Sequence, residues 1–279
     1  MNNATIVWNR LGVRLSSIAL IFLLGAYDEL AGATRVRGSV VDADSGAAIP
    51  ARIHVKADTG EQYLVDSIGG TNAPYRREPD RVPGSTEVHT ALSAHPFEIG
   101  LPPGRYTFRA ERGKEYLPLK QVVDIDATPV ELNFRLQRWV DMAQRGWYSG
   151  DTHVHRTIEE LATVLPAEDL NVAFPLTSWV TKAHVPPTLG DRSVTSIDAN
   201  VIALDETHVI FPMNTEYEIF TVGPKRHTLG AVFVLNHQTP LEVGAPPVHP
   251  IARLARDQGA LLDLDKHSWP WSLMLVPVM

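Results

Sequence analysis

Val130-Glu131-Leu132-Asn133-Phe134-Arg135-Leu136-Gln137 alternates apolar and polar residues without a break. Period two places one set on a core face and the other in water. The same alternation recurs upstream. Ile53, Val55 and Ala57 interleave with Arg52, His54 and Lys56, and Tyr106, Phe108 and Ala110 interleave with Arg105, Thr107 and Arg109. Turn residues separate these runs: Asp42-Ala43-Asp44-Ser45-Gly46, Asp58-Thr59-Gly60 and Pro102-Pro103-Gly104. Short strands at this spacing predict a small antiparallel β-sandwich over residues 34–138. Residues 67–94, rich in Pro, Gly, Arg and Asp, read as a long loop within it.

The chain has 279 residues, enough for one or two domains. Its lack of cysteine excludes a disulfide scaffold, a thiolate zinc site, an iron–sulfur cluster and a cysteine nucleophile. The formal net charge of −7, with no basic helix or tail, argues against a nucleic-acid partner. There is no G-x-G-x-x-G after a strand, no Walker loop and no G-x-S-x-G elbow. Residues 1–33 read as a signal peptide. Arg10 and Arg14 precede the apolar stretch Leu15 to Tyr27, and Ala31-Gly32-Ala33 offers a small-x-small cleavage site. That stretch is shorter than the ~20 residues a spanning helix needs. The expectation is a secreted or periplasmic protein with no stable membrane insertion after cleavage; an uncleaved N-terminal anchor is the alternative.

Residues 139–279 hold the chemistry. They carry the whole net charge, with 9 basic against 16 acidic groups, and 8 of the 11 histidines. In Gly146-Trp147-Tyr148-Ser149-Gly150-Asp151-Thr152-His153-Val154-His155, residues Asp151, His153 and His155 share one face if the segment is a strand. Two imidazoles so spaced can grip a divalent cation, with the carboxylate as ligand or orienter; an ordinary half-exposed strand is the alternative. In Asn214-Thr215-Glu216-Tyr217-Glu218, the two glutamates are again i and i+2 on one strand face, where they need a partner if buried or lie on an exposed edge strand. The helix Pro250 to Gln258, capped by Gly259, precedes the strand Leu261-Leu262-Asp263-Leu264-Asp265 and then His267. That order is the αβ unit of an α/β barrel, which places ligands at strand C-terminal ends. Thr157-x-x-Glu160 forms a capping box, so a helix follows the first strand, and Asn171 to Leu176 is the next candidate strand.

Two resemblances follow from these residues. Arg37-Gly38-Ser39-Val40-Val41-Asp42, Ile49-Pro50-Ala51-Arg52-Ile53 and Leu101-Pro102-Pro103-Gly104-Arg105-Tyr106 resemble carboxypeptidase-regulatory-like, transthyretin-type sandwich modules. The Gly-Asp-x-His-x-His opening, the Glu216 strand, the turn Arg226-His227-Thr228-Leu229-Gly230 and the Gly259…His267 unit resemble the PHP (polymerase and histidinol phosphatase) metallohydrolases, in their CehA/McbA-like secreted branch. The second resemblance implies a distorted (β/α)₇ barrel holding one to three divalent ions of zinc, manganese or iron. It implies hydrolysis of phosphoesters or related esters of a small molecule or polymer. It assigns His153 and His155 to the first metal pair, Glu216 to a bridging carboxylate, and His227 and His267 to the remaining ligands. Asp151 or Asp265 would orient ligands or accept a proton.

Departures from that pattern shape the fold expected. Pro175-Leu176-Thr177-Ser178-Trp179 stands where the family has Thr-Asp-His-Asn; His184 is the candidate substitute, and the sequence leaves open whether it or Glu218 joins the site. The Tyr-Ser-Asp-Gly that often follows the first motif is missing. Residues 139–279 number 141, short of the ~200–250 of a complete barrel. The closing Asp-x-His strand has no counterpart. The expectation is therefore an all-β sandwich followed by an incomplete α/β barrel, as in a truncated chain. Trp147, Tyr148, Trp269 and Trp271 would line a pocket or fill the barrel. A catalytically silent metal- or ligand-binding barrel, or a surface scaffold acting through its sandwich, are the alternatives to an enzyme.

Overall fold

The computed structural model describes residues 32–76, 87–190, 195–218 and 231–265. Most of the expected leader, the Arg226–Gly230 turn with His227, and His267, Trp269 and Trp271 lie outside the described residues. Of Asp265 only the backbone is described.

The first half is all β. Its strands are β1 (Thr34–Asp42), β2 (Ala51–Ala57), β3 (Gln62–Tyr63), β4 (Asp66–Ser67), β5 (Asn72–Arg76), β6 (Val88–Leu92), β7 (Phe97–Leu101), β8 (Gly104–Glu111), β9 (Leu119–Ile125) and β10 (Val130–Leu136). They form two sheets, ordered β10-β1-β7-β4 and β5-β6-β2-β8-β9, with β3 on β2. The alternating residues meet between them: Val36, Val40, Ile53, Val55, Phe108, Phe134 and Leu136 are buried in one core. Gly38 lies against the Phe97 ring, where a Cβ would run into the aromatic carbons. Tyr106 donates its hydroxyl to Pro102 O at 2.9 Å, which fixes the strand entry after Pro103-Gly104.

Two expectations are corrected here. The sandwich is not wholly antiparallel, because β1 and β10 pair in parallel from Val36↔Val130 to Asp42↔Leu136. Nor is 67–94 one long loop, since it contains β5 and β6, paired antiparallel. Strand β6 shows no alternation because all five of its residues are buried. One side faces the sandwich core, through Leu92. The other meets a helix of the second half, through Ala91, packed with Ala73 and Ala167.

The second half contains β11 (Gly150–Val154), α1 (Ile158–Ala167), β12 (Val172–Pro175), β13 (Ser178–Val180), β14 (Thr188–Leu189), β15 (Ile202–Ala203), β16 (Val209–Ile210), β17 (Thr215–Tyr217), β18 (Ala231–Leu235), α2 (His249–Asp257) and β19 (Leu261–Asp265). One sheet runs β11-β12-β16-β15 and the other β14-β13-β17-β18-β19. Strands β11, β12 and β16 are mutually parallel, with α1 as the crossover from β11 to β12. The chain leaves β12 through Leu176-Thr177 and continues as β13, and leaves β16 to continue as β17; β13 and β17 are again parallel. Two bent strands thus pass from one sheet into the next. Buried Asn214 locks the bend. Its amide donates to Pro175 O and Phe211 O at 2.7 and 2.6 Å, and its carbonyl accepts the Asn236 N–H at 2.8 Å.

The chain is β-rich, with two α-helices among the described residues. Helix α1 starts on the expected capping box: Thr157 Oγ1 accepts the Glu160 N–H, and Glu160 accepts the Thr157 N–H. Helix α2 ends before Gly259, whose φ of 68° closes it. Strand β19 departs from a simple barrel unit. It pairs antiparallel with β18, which itself pairs antiparallel with β17. No described helix is long and apolar enough to cross a membrane.

Candidate metal centre

The start of β11 is pinned to β12 by side chains. Asn171 Oδ1 accepts the Ser149 N–H at 2.9 Å, while Ser149 Oγ accepts the Asn171 N–H at 3.3 Å. The pairing register slips between Asp151 and Val154. There the Asp151 carboxylate accepts the His153 N–H at 2.9 Å. Asp151 therefore shapes the backbone that presents the two histidines. His155 falls one residue past the strand end.

Glu216 comes from the second sheet. Strand β17 is central, between β13 and β18, and Glu216 lies opposite Trp179 on one side and Phe233 on the other. It is buried, 3% exposed, so the exposed-edge reading of this strand fails. Alternation puts Thr215 and Tyr217 on the opposite face. Both are anchored. His237 donates its Nδ1 proton to Thr239 O at 2.9 Å, leaving Nε2 to accept the Thr215 hydroxyl at 2.9 Å. Burial pushes the His237 imidazole below its ordinary range, which keeps it neutral in that role. Tyr217 donates to Val243 O at 2.9 Å, and burial pushes its phenol up.

His153, His155 and Glu216 converge. Their nitrogen and oxygen donor atoms all lie within 4.8 Å of one another. His153 Nε2 is 3.1 Å from His155 Nε2, and His155 Nε2 is 3.3 Å from Glu216 Oε2. Ligands about 2.0–2.1 Å from a zinc-type ion stand ~3–3.4 Å apart. The two contact distances match that edge length, and imidazole plus carboxylate is a donor set for zinc, manganese or iron. Aromatic rings set the imidazole planes. Phe233 meets His153 edge-on at 4.9 Å between centroids, and Trp179 meets His155 at 5.9 Å.

The remaining expected residues are not part of the trio. Asp151 borders the same cleft as the histidines. Glu218 lies beyond β17 and outside the converging trio. His184 is exposed on a loop at φ 64°, with its N–H donated to Ala245 O, and does not join the site. Trp147 and Tyr148 are 68% and 60% exposed, so neither fills a barrel. Asn214 and Thr177, in strand-to-strand bends, and His237, just past β18, escaped the sequence reading because a buried polar residue outside regular alternation has no periodic signature. Arg156 escaped it because only its neighbours in space mark it.

No protein-family model matches the chain, and no curated protein matches it. Among solved structures it is similar to the pilus 2b backbone protein of group B streptococcus, with 16% identity over 38% of this chain and 41% of that one, at a TM-score of 0.25. It is similar to the phospholipase PlaB from Legionella pneumophila, with 14% identity over 39% of this chain and 26% of that one, at 0.21. A similar match, 14% over 39% of this chain and 42% of that one at 0.21, is to an (S)-allantoin synthase. The chain spans less than half the length of each of these.

Proposed function

We propose that the chain is a secreted metal-dependent hydrolase of phosphoesters or related esters, and that its second half is a PHP-type barrel portion. The observation that carries this reading is the convergence of His153 and His155, at the C-terminal end of β11, with Glu216 of β17 in the next sheet. Ligand sites of α/β sheets sit at such strand ends. The Gly-Asp-x-His-x-His sequence that runs along β11 to His155 agrees with it.

In this reading, a divalent ion held by the trio would supply an acidified water and neutralise charge on the scissile oxygen. The protein's own part is positional. Asp151 fixes the turn that aims His153, and Phe233 and Trp179 fix the ring planes. Asn214 and the Thr215–His237 bond hold the chain just before Glu216, and the Tyr217–Val243 bond holds it just after. Asp151, on the cleft wall, is the described carboxylate that would accept a proton there. The test is metal content of the full chain with His153→Ala and His155→Ala combined. Loss of bound metal with retained circular dichroism supports the reading, and unchanged stoichiometry sinks it.

A second reading has one observation behind it. Trp179 packs on His155 in the region where the resembled family carries further Asp and His ligands. That favours a reduced site that binds metal without turnover. Metal binding with no hydrolysis of phosphomonoester, phosphodiester and carboxylester probes would select it.

A further inference from the structure

We propose that Arg156, seated on Tyr75 of the sandwich, recognises a negatively charged group of the substrate, so that the sandwich forms one wall of the substrate site. This rests on the hydrolase reading and extends it to specificity.

Arg156 follows His155 directly. A cleft of about 520 Å³ is bordered by Asp151, His153, His155 and Arg156 on one side and by Arg52, Tyr75 and His89 of the sandwich on the other. Arg156 also borders a smaller space of about 60 Å³ beside His155 and Trp179. Arg156 therefore borders the space next to His153 and His155. Two contacts hold it there. The guanidinium carbon sits 4.6 Å from the Tyr75 ring centroid, and Nη1 is 3.3 Å from Glu160 Oε1. Its side chain is 19% exposed, so it is mostly desolvated yet still reaches the cleft. A guanidinium carries five N–H donors in a fixed fork. Stacking on Tyr75 uses its face and leaves edge donors for an oxyanion.

Three carboxylates border the same cleft, and each is already engaged. Glu168 accepts from Arg52 at 2.9 Å, Glu87 is 4.0 Å from Arg52, and Asp151 accepts the His153 N–H. The acidic groups are thus gathered at Arg52 and β11, while Arg156 is the cation beside His155. A bound anion would meet Arg156 and the metal trio together. The sandwich then does more than space or dock: Tyr75 holds the cation that reads the substrate.

The experiment uses the full chain, loaded with zinc or manganese, with Arg156→Gln, Arg156→Lys and Tyr75→Ala. Binding of inorganic phosphate is measured by calorimetry with and without metal. Hydrolysis of p-nitrophenyl phosphate and p-nitrophenyl acetate is measured alongside, and metal stoichiometry checks the site. For Arg156→Gln, phosphate affinity should fall about 10- to 100-fold. The ratio of kcat/KM for the anionic over the neutral ester should fall by a similar factor, mainly through KM. Arg156→Lys should recover part of the loss, and Tyr75→Ala should shift the same ratio in the same direction. Unchanged phosphate affinity in Arg156→Gln with normal metal content, or equal losses on both esters, overturns the proposal. So does a wild-type chain that binds no phosphate. Arg156-dependent phosphate binding without hydrolysis of either ester would keep the anion site and defeat the hydrolase reading.

Discussion

His155 Nε2 stands 3.3 Å from Glu216 Oε2, joining the end of β11 in one sheet to the middle of β17 in the next. A carboxylate 3% exposed is costly unless a cation shares it. Glu216→Gln keeps the shape and removes the charge. Metal affinity should fall at least ~10-fold in this variant, as it does when groups around a metal are altered. Wild type at 100 times its metal Kd should gain about 2.7 kcal/mol of stability, and the variant at the same metal concentration clearly less. Scanning calorimetry with and without chelator measures both. A metal-induced rise in Tm equal in the two proteins would contradict the assignment.

Asp169 ties the sandwich to the second half. Its carboxylate accepts from Arg112 at 2.7 Å and from Arg138 at 2.6 Å. Both guanidinium groups lie over the Tyr116 ring, at 5.4 and 4.9 Å. The Asp169 side chain is only 7% exposed, and its φ of 50° is a left-handed conformation that Asp and Asn tolerate. Asp169→Asn thus spares the backbone and strands two cations beside a neutral amide. Breaking a buried pair costs about 3–5 kcal/mol. Equilibrium urea unfolding should show a loss in the lower part of that range, since Arg138 keeps Asp141 at 2.8 Å. A loss below about 1 kcal/mol would mean that the network is solvated.

Legibility followed periodicity. Strands β2, β8 and β10 alternate because each has one face in the sandwich core, so reading Ile53, Phe108 or Phe134 inward needed no structure. Strand β6 was invisible because burial on both sides erased the alternation. The capping box at Thr157 and Glu160 was legible because a helix start is a local event. His153, His155 and Glu216 were legible as types at a spacing, but their convergence depends on two bent strands, and the bend rests on single polar residues such as Asn214. The Tyr75–Arg156 contact spans the two halves of the chain, where no local pattern reports it.

Acid should unfold this chain through the seam where β2, β5 and β6 face α1, with Glu111 of β8 beside it. Burial, reinforced by Arg52 and His54, pushes the His89 imidazole down to about 3, even with Glu87 Oε1 3.3 Å from Nδ1. Burial alone would raise Glu111, but its hydrogen bond from His54 and the Arg52 guanidinium outweigh that and hold it at about 2. Both folded values lie below the ordinary 6.5 and 4.5, so the unfolded chain takes up these protons first. His89 contributes stability that is full above pH 6.5 and is lost as pH falls toward about 3. Glu111 contributes stability that is full above about 4.5 and is lost toward about 2. Each proton bound only by the unfolded chain lowers stability by roughly 1.4 kcal/mol per pH unit. Urea midpoints between pH 7 and 4 should therefore fall steadily. His89→Gln should flatten that slope by close to one proton, while a Glu111→Gln change should alter it only below pH 4.5. An unchanged slope in His89→Gln would show that this imidazole titrates normally in the folded chain.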